Sequence, residues 1–144
     1  NCTSLQSIVI PDSVTSIKED AFKGCISLKS VTVDPFAVEI ESNAFGDCHM
    51  LKVLEIIPSK KAITIEKSKL KYFPLVSHFA IPNTITSIGE SSFEGMLTIE
   101  YVDIPTSVTK IERLAFRGCT SLCKLIIPSS VNFIGDSAFE GCSS

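Results

Sequence analysis

Apolar residues recur along this chain at a spacing much longer than one helical turn or one strand alternation. Leu5, Leu28, Leu51, Val76, Ile99 and Leu122 occupy one column of equivalent positions. Ile8, Val31, Leu54, Phe79, Val102 and Leu125 fill a second, and Ile10, Val33, Ile56, Ile81, Ile104 and Ile127 a third. A fourth holds Ile17, Ile40, Ile65, Ile88, Ile111 and Ile134. These columns define six units that start at Cys2, Cys25, Cys48, Phe73, Met96 and Cys119. Five units are 23 residues long, the third has 25, and a seventh is cut off at Cys142. Self-similarity at such a period marks a stack of supersecondary units.

Within the unit, the alternation around Ile8 and Ile10 predicts a half-buried strand. Pro11, Pro82, Pro105 and Pro128 follow and stop it, because proline lacks the amide a ladder needs. Val14 and Ile17, with two polar residues between them, predict a second short extended piece. Ala-Phe-x-Gly-Cys closes the unit at Ala21–Cys25 and again at Ala115–Cys119, and predicts a return turn containing one short turn of helix. Gly24, Gly95, Gly118, Gly141, Asp47 and Asn1 precede the corner residue. Those residue types tolerate positive φ, so a left-handed corner is expected there, distorted where Tyr72 takes the place.

One unit cannot cover its own apolar side, whereas stacked units lay equivalent side chains on one another in a continuous core. At about 4.8 Å per rung, six units make a rod roughly 25–30 Å long. Phe22, Phe45, Phe93, Phe116 and Phe139 are expected to form an interior ladder, with Leu70 filling the third unit's place. Neither end unit carries a polar cap, from which a longer array is expected.

Composition narrows the function more than it changes the fold. A chain of 144 residues, 44% hydrophobic and 20% charged, suffices for one domain over 1–144 with a sizeable core. The net charge of −3 argues against a dedicated nucleic-acid binder, whose affinity comes from neutralising phosphates. Apolar runs are too short for a membrane-spanning helix, and no basic segment leads an apolar stretch at the start.

Five of the six Cys share one column, in which Phe73 and Met96 replace them. A zinc ligand could not be exchanged for Phe or Met, so the column reads as small buried fillers and no metal is expected. Disulfides between neighbouring rungs, such as Cys2–Cys25, are the alternative that the rung spacing allows. Cys123 falls in an outward column with Gln6, Lys29, Lys52, Ser77 and Glu100, and reads as a tolerated surface residue. Pairing with Cys119, four residues earlier, is its alternative. His49 and His78 lack partners at triad-like spacing, no phosphate-binding glycine motif occurs, and neither catalytic residues nor a cofactor is expected. Lys52, Lys60, Lys61, Lys67, Lys69 and Lys71 form a basic run, read as a soluble loop with anion attraction as the sharper alternative.

The order of these motifs, L-x-x-I-x-I-P, then V-x-x-I-(G), then A-F-x-G-C, resembles the BspA-type leucine-rich repeats, also called the Treponema pallidum type. The match runs over essentially the whole chain and is closest over 5–25, 99–119 and 122–142. Pro35 stands one place late, and the segment 58–62 carries the two extra residues of unit three. The resemblance implies a β-rich, α/β-type leucine-rich-repeat solenoid, right-handed, with a parallel sheet face, short second strands and a short helical turn. It also implies a surface or secreted protein that adheres to host matrix or cell-surface proteins, without catalysis. An intracellular or appendage scaffold with no external ligand is the alternative.

The sheet face is the expected binding surface, with a plain solvated sheet as the alternative. One outward column holds Ser7, Ser30, Val53, His78, Tyr101 and Lys124; the next holds Val9, Thr32, Glu55, Ala80, Asp103 and Ile126. Aromatic, charged and aliphatic groups mixed on a regular array suit recognition of a protein ligand. Asn1-Cys2-Thr3 satisfies a glycosylation sequon formally, but its place at a corner and at the terminus argues against its use.

Overall fold

Short strands separated by prolines and turns can hydrogen-bond only with their counterparts one repeat away. The computed structural model describes residues 2–35, 38–57, 64–65, 70, 73 and 75–144 and shows this pairing at every step of the larger sheet and at all but one step of the shorter strands. A six-stranded parallel sheet is built from β1 (Ser7–Val9), β3 (Ser30–Val33), β5 (Val53–Ile56), β7 (His78–Ala80), β9 (Tyr101–Asp103) and β11 (Lys124–Leu125), in that order. Register is one unit per step, as in Ile8 against Val31 and Val102 against Leu125. At unit three the step lengthens, pairing Leu54 with Phe79.

The second extended pieces are two residues each: β2 (Ser16–Ile17), β4 (Glu39–Ile40), β6 (Thr64–Ile65), β8 (Ser87–Ile88), β10 (Lys110–Ile111) and β12 (Phe133–Ile134). They form a four-stranded parallel sheet, β12-β10-β8-β6, and a separate pair, β2-β4. Among the described residues, the break falls between β4 and β6. The basic residues Lys60, Lys61, Lys67, Lys69 and Lys71, and the Tyr72 corner, lie outside the described residues.

The return arc carries hydrogen-bonded turns where one helical turn is expected from sequence. Lys23 N–H donates to Asp20 O at 3.0 Å and Cys25 N–H to Phe22 O at 3.1 Å. The intervening amides leave the arc altogether: Phe22 N–H reaches Ala44 O at 2.8 Å and Gly24 N–H reaches Gly46 O at 2.9 Å on the next rung. The same pattern joins Phe116 to Ala138 at 2.7 Å and Gly118 to Glu140 at 2.7 Å. An amide committed to the neighbouring rung cannot close a helix, so stacking outcompetes local helicity.

The corner glycines adopt φ of 70–76° at Gly24, Gly95, Gly118 and Gly141, and Asp47 takes 59°, as expected from their column. A second left-handed column, not anticipated, runs through Asp20, Asn43, Ser91, Leu114 and Ser137. Asp and Asn suit it, and Asn43 Nδ2 donates to Asp20 Oδ1 on the previous rung. Leu114 at φ 59° has no such compensation.

The core is a set of ladders. Val31, Leu54, Phe79 and Val102 are buried under the large sheet, and Ile65, Ile88 and Ile111 are wholly buried under the smaller one. The last rung shows what stacking contributes: Ile134 is 50% exposed where Ile111 is 0%. Phe22–Phe45, Phe93–Phe116 and Phe116–Phe139 stack with ring centroids 5.2, 4.8 and 5.3 Å apart. Across unit three the ladder departs from the expected column. Leu70 is buried, but the rings continue through Phe73, 5.1 Å from Phe45, and Phe79, 5.0 Å edge-on to Phe93.

Ser92 stands in the column that holds Ala21, Ala44, Ala115 and Ala138 in four other units. It is 2% exposed, and its hydroxyl has no hydrogen-bond partner among the described residues. A buried hydroxyl left unpaired costs about 1–3 kcal/mol. Ser92→Ala is therefore expected to stabilise the chain by about 1–2 kcal/mol, read as a higher urea midpoint with unchanged slope.

Candidate protein-binding face

Alternation along each strand of the large sheet sends one set of side chains into the core and the other outward. The outward set contains all the residues of the two columns named above. Ser7, His78, Lys124, Val9, Glu55, Ala80, Asp103 and Ile126 are exposed; Ser30, Val53, Tyr101 and Thr32 are half-buried. Parallel, in-register pairing places His78 beside Tyr101 and Tyr101 beside Lys124. Ser7 and Val9 lie on β1, at the far edge of the sheet.

Around Tyr101 the side chains touch. Its ring centroid is 6.2 Å from that of His78, tilted by 55°, and the Lys124 ammonium stands 5.5 Å from it on the other side. Ser77 Oγ lies 2.9 Å from His78 Nδ1 and steadies the imidazole. The ring is thus held between two neighbours, so little side-chain freedom is left to lose on binding. Glu100 and Cys123 line the same shallow depression with His78, Tyr101 and Lys124. Sequence columns place those two on the outward side but give no sign that they gather at Tyr101. In the adjacent column Thr32 Oγ1 donates to Glu55 Oε2 at 3.0 Å, which fixes that carboxylate.

From sequence the cysteine column reads as small buried fillers. All six are free, and among the described residues no cluster of His, Cys, Asp and Glu could hold a metal ion. Neither the Cys2–Cys25 nor the Cys119–Cys123 disulfide is formed. The column does more than fill space, however. Cys48, Cys119 and Cys142 donate S–H to the carbonyls of Phe22, Phe93 and Phe116 at 3.2, 3.1 and 3.2 Å. Each thiol therefore ties its own corner to the Phe of an earlier rung, a role that Met96 and Phe73 cannot fill.

Burial pushes the Cys119 thiol up to about 12, and raises Cys48 and Cys142 in the same direction. These thiols prefer the protonated state in the folded chain, so they are poor nucleophiles. They also set a pH limit. Their stabilising contribution is complete below the unfolded thiol's ordinary value near 9 and is lost as pH rises from there, for Cys119 toward 12. Thermal stability is expected to fall between about pH 9 and 11, with Cys119 contributing up to about 1.4 kcal/mol per pH unit, and to fall less steeply in Cys119→Ala.

Three comparisons with known proteins bear on this architecture. A family model for the BspA-type leucine-rich repeat region matches in six copies over residues 1–123 and 63–144. The chain belongs to the BspA-type leucine-rich repeat family.

Solved structures of this class agree with the assignment. A leucine-rich cell surface protein of Faecalibacterium prausnitzii is 33% identical over 96% of the chain, with a TM-score of 0.57. A leucine-rich repeat protein of Eubacterium ventriosum shares the fold at a TM-score of 0.67 and 19% identity over 98% of the chain. The Treponema pallidum leucine-rich repeat protein matches at 0.56 and 21% over 95%. The chain spans 37%, 44% and 76% of those three proteins' lengths, respectively. No curated protein sequence matches it. The BspA-type fold is a repeat scaffold suited to protein interaction and generally non-catalytic. Among the described residues, no helix is long and apolar enough to cross a membrane.

Proposed function

We propose that this chain is a non-catalytic adhesion segment of a cell-surface or secreted protein, and that it docks a protein ligand through the outward face of the large sheet. The observation that carries the reading is the ordered group of His78, Tyr101 and Lys124 on a rigid parallel sheet, next to the exposed aliphatic Ile126. A half-buried aromatic anchor ringed by polar groups is the usual make-up of a binding hot spot. The surface location draws support from the Faecalibacterium prausnitzii relative, which is a cell surface protein. Matrix glycoproteins of a mucosal surface are the ligand class that family resemblance favours.

The test is solid-phase binding of the chain to a panel of immobilised matrix glycoproteins. Wild type is expected to bind at least one, and the double variant His78→Ala, Tyr101→Ala to bind it at least about tenfold more weakly. Both side chains point outward, so the variant's thermal midpoint is expected to stay close to wild type. A wild type that binds none of the panel removes the adhesin reading. Full binding by the variant removes this face as the site.

A further inference from the structure

Resting on the reading of the sheet face as a docking surface, we propose that the ground around Tyr101 receives an arginine side chain presented by the partner protein. Three features of this face lead there. The first is the ring itself, whose flank is already approached by an ammonium, that of Lys124, at 5.5 Å. A phenol ring attracts cations through its quadrupole, and a guanidinium stacks on such a ring better than an ammonium does.

The second is the charge around it. Glu100 and Asp103, on and beside the same strand as Tyr101, are exposed and have no ion-pair partner among the described residues. By contrast Glu41, Glu90, Glu94 and Glu140 are each bonded to Lys or Arg. Against these two carboxylates the neighbouring rungs set one ammonium, Lys124, and the imidazole of His78, leaving a negative balance when His78 is neutral. The whole chain carries a net charge of −3. An incoming anion meets repulsion here, while a cation meets two unpaired carboxylates.

The third is room. In register across β5, β7 and β9, Glu55, Ala80 and Asp103 form one column, so only a methyl group stands between the two acidic rungs. Glu55 is held by Thr32, and the notch over Ala80 stays open between it and Asp103. A guanidinium laid on Tyr101 could donate to Asp103 or Glu100 in the two-pronged geometry that arginine favours, while its alkyl stem rests against Ile126. Lys124 then acts as an internal competitor that the partner's arginine displaces.

The test is an amide chemical-shift titration of the full chain with a blocked pentapeptide alternating glycine and arginine, and with its glutamate counterpart. Shifts from the arginine peptide are expected at Ala80, Tyr101, Asp103 and Lys124. Tyr101→Leu should weaken the interaction about tenfold and Asp103→Asn about threefold, and added salt should weaken it further. Lys124→Ala should tighten it about twofold, the opposite of what an anion receptor would show. Stronger shifts from the glutamate peptide, or weaker arginine binding in Lys124→Ala, overturn the cation assignment while leaving the face as a docking surface. No shift on the face with either peptide overturns it too, and the matrix-protein assay then judges the docking reading by itself.

Discussion

Truncating Phe116 to alanine should destabilise the chain by about 3–5 kcal/mol, among the largest losses any single core side chain here can cause. The ring is fully buried and stacked on both faces, 4.8 Å from Phe93 and 5.3 Å from Phe139. Its removal leaves a void that the arc cannot close, because the backbone on either side is fixed. Phe116 N–H donates to Ala138 O, and Phe116 O accepts the Cys142 thiol. Phe22, at the other end of the ladder, has a ring partner on one side and is only half-buried, so Phe22→Ala should cost clearly less. Urea unfolding of both variants checks the ordering. Equal losses would mean that the rings do not act as an ordered ladder.

The second large effect concerns the sidedness of the short strands. Ile88 is wholly buried between Ile65 and Ile111, while Ser87, its neighbour, faces the other way. Ile88→Asp buries a carboxylate with no partner, at a cost of about 3–5 kcal/mol, enough to unfold the middle rungs. Ser87→Asp loses a 3.4 Å hydrogen bond to Glu112 and sets two carboxylates side by side near the surface, at a cost of about 1 kcal/mol. Circular dichroism melts of the pair read this directly. Similar losses in both would mean that the alternation does not separate core from surface.

What the sequence makes legible follows from translational repetition. A buried position is buried in the same way on every rung, so six copies of Ile17 and its equivalents outweigh the ambiguity of any one short apolar run. Strand order, inward columns, the corner at Gly24 and the two outward columns all fall to this logic. Features that belong to contacts between rungs are less visible. The thiol of Cys48 reads as filler until its Phe22 carbonyl partner is seen, because that partner lies 26 residues away. The return arc reads as a helical turn because Ala-Phe carries no mark of an amide committed to the next rung.

The second left-handed column is hidden for another reason. Asp20 and Asn43 would signal it, but Ser91, Leu114 and Ser137 do not, and stacking holds those residues in a conformation their own preferences disfavour. Unit three departs because its two extra residues shift the local repeat. Phe73 and Phe79 then supply the rings that join Phe45 to Phe93. At the candidate site the column composition is readable from sequence, whereas the contacts of Tyr101 with His78 and Lys124 are not. Side-chain reach across rungs decides them.

Methyl-to-methyl nuclear Overhauser contacts in an isoleucine-labelled sample give the most direct check that the polypeptide winds into superposed coils. Serial contacts Ile65–Ile88, Ile88–Ile111 and Ile111–Ile134 are predicted, with none that skips a coil. Contacts joining isoleucines at unrelated separations, with that series absent, would contradict the account.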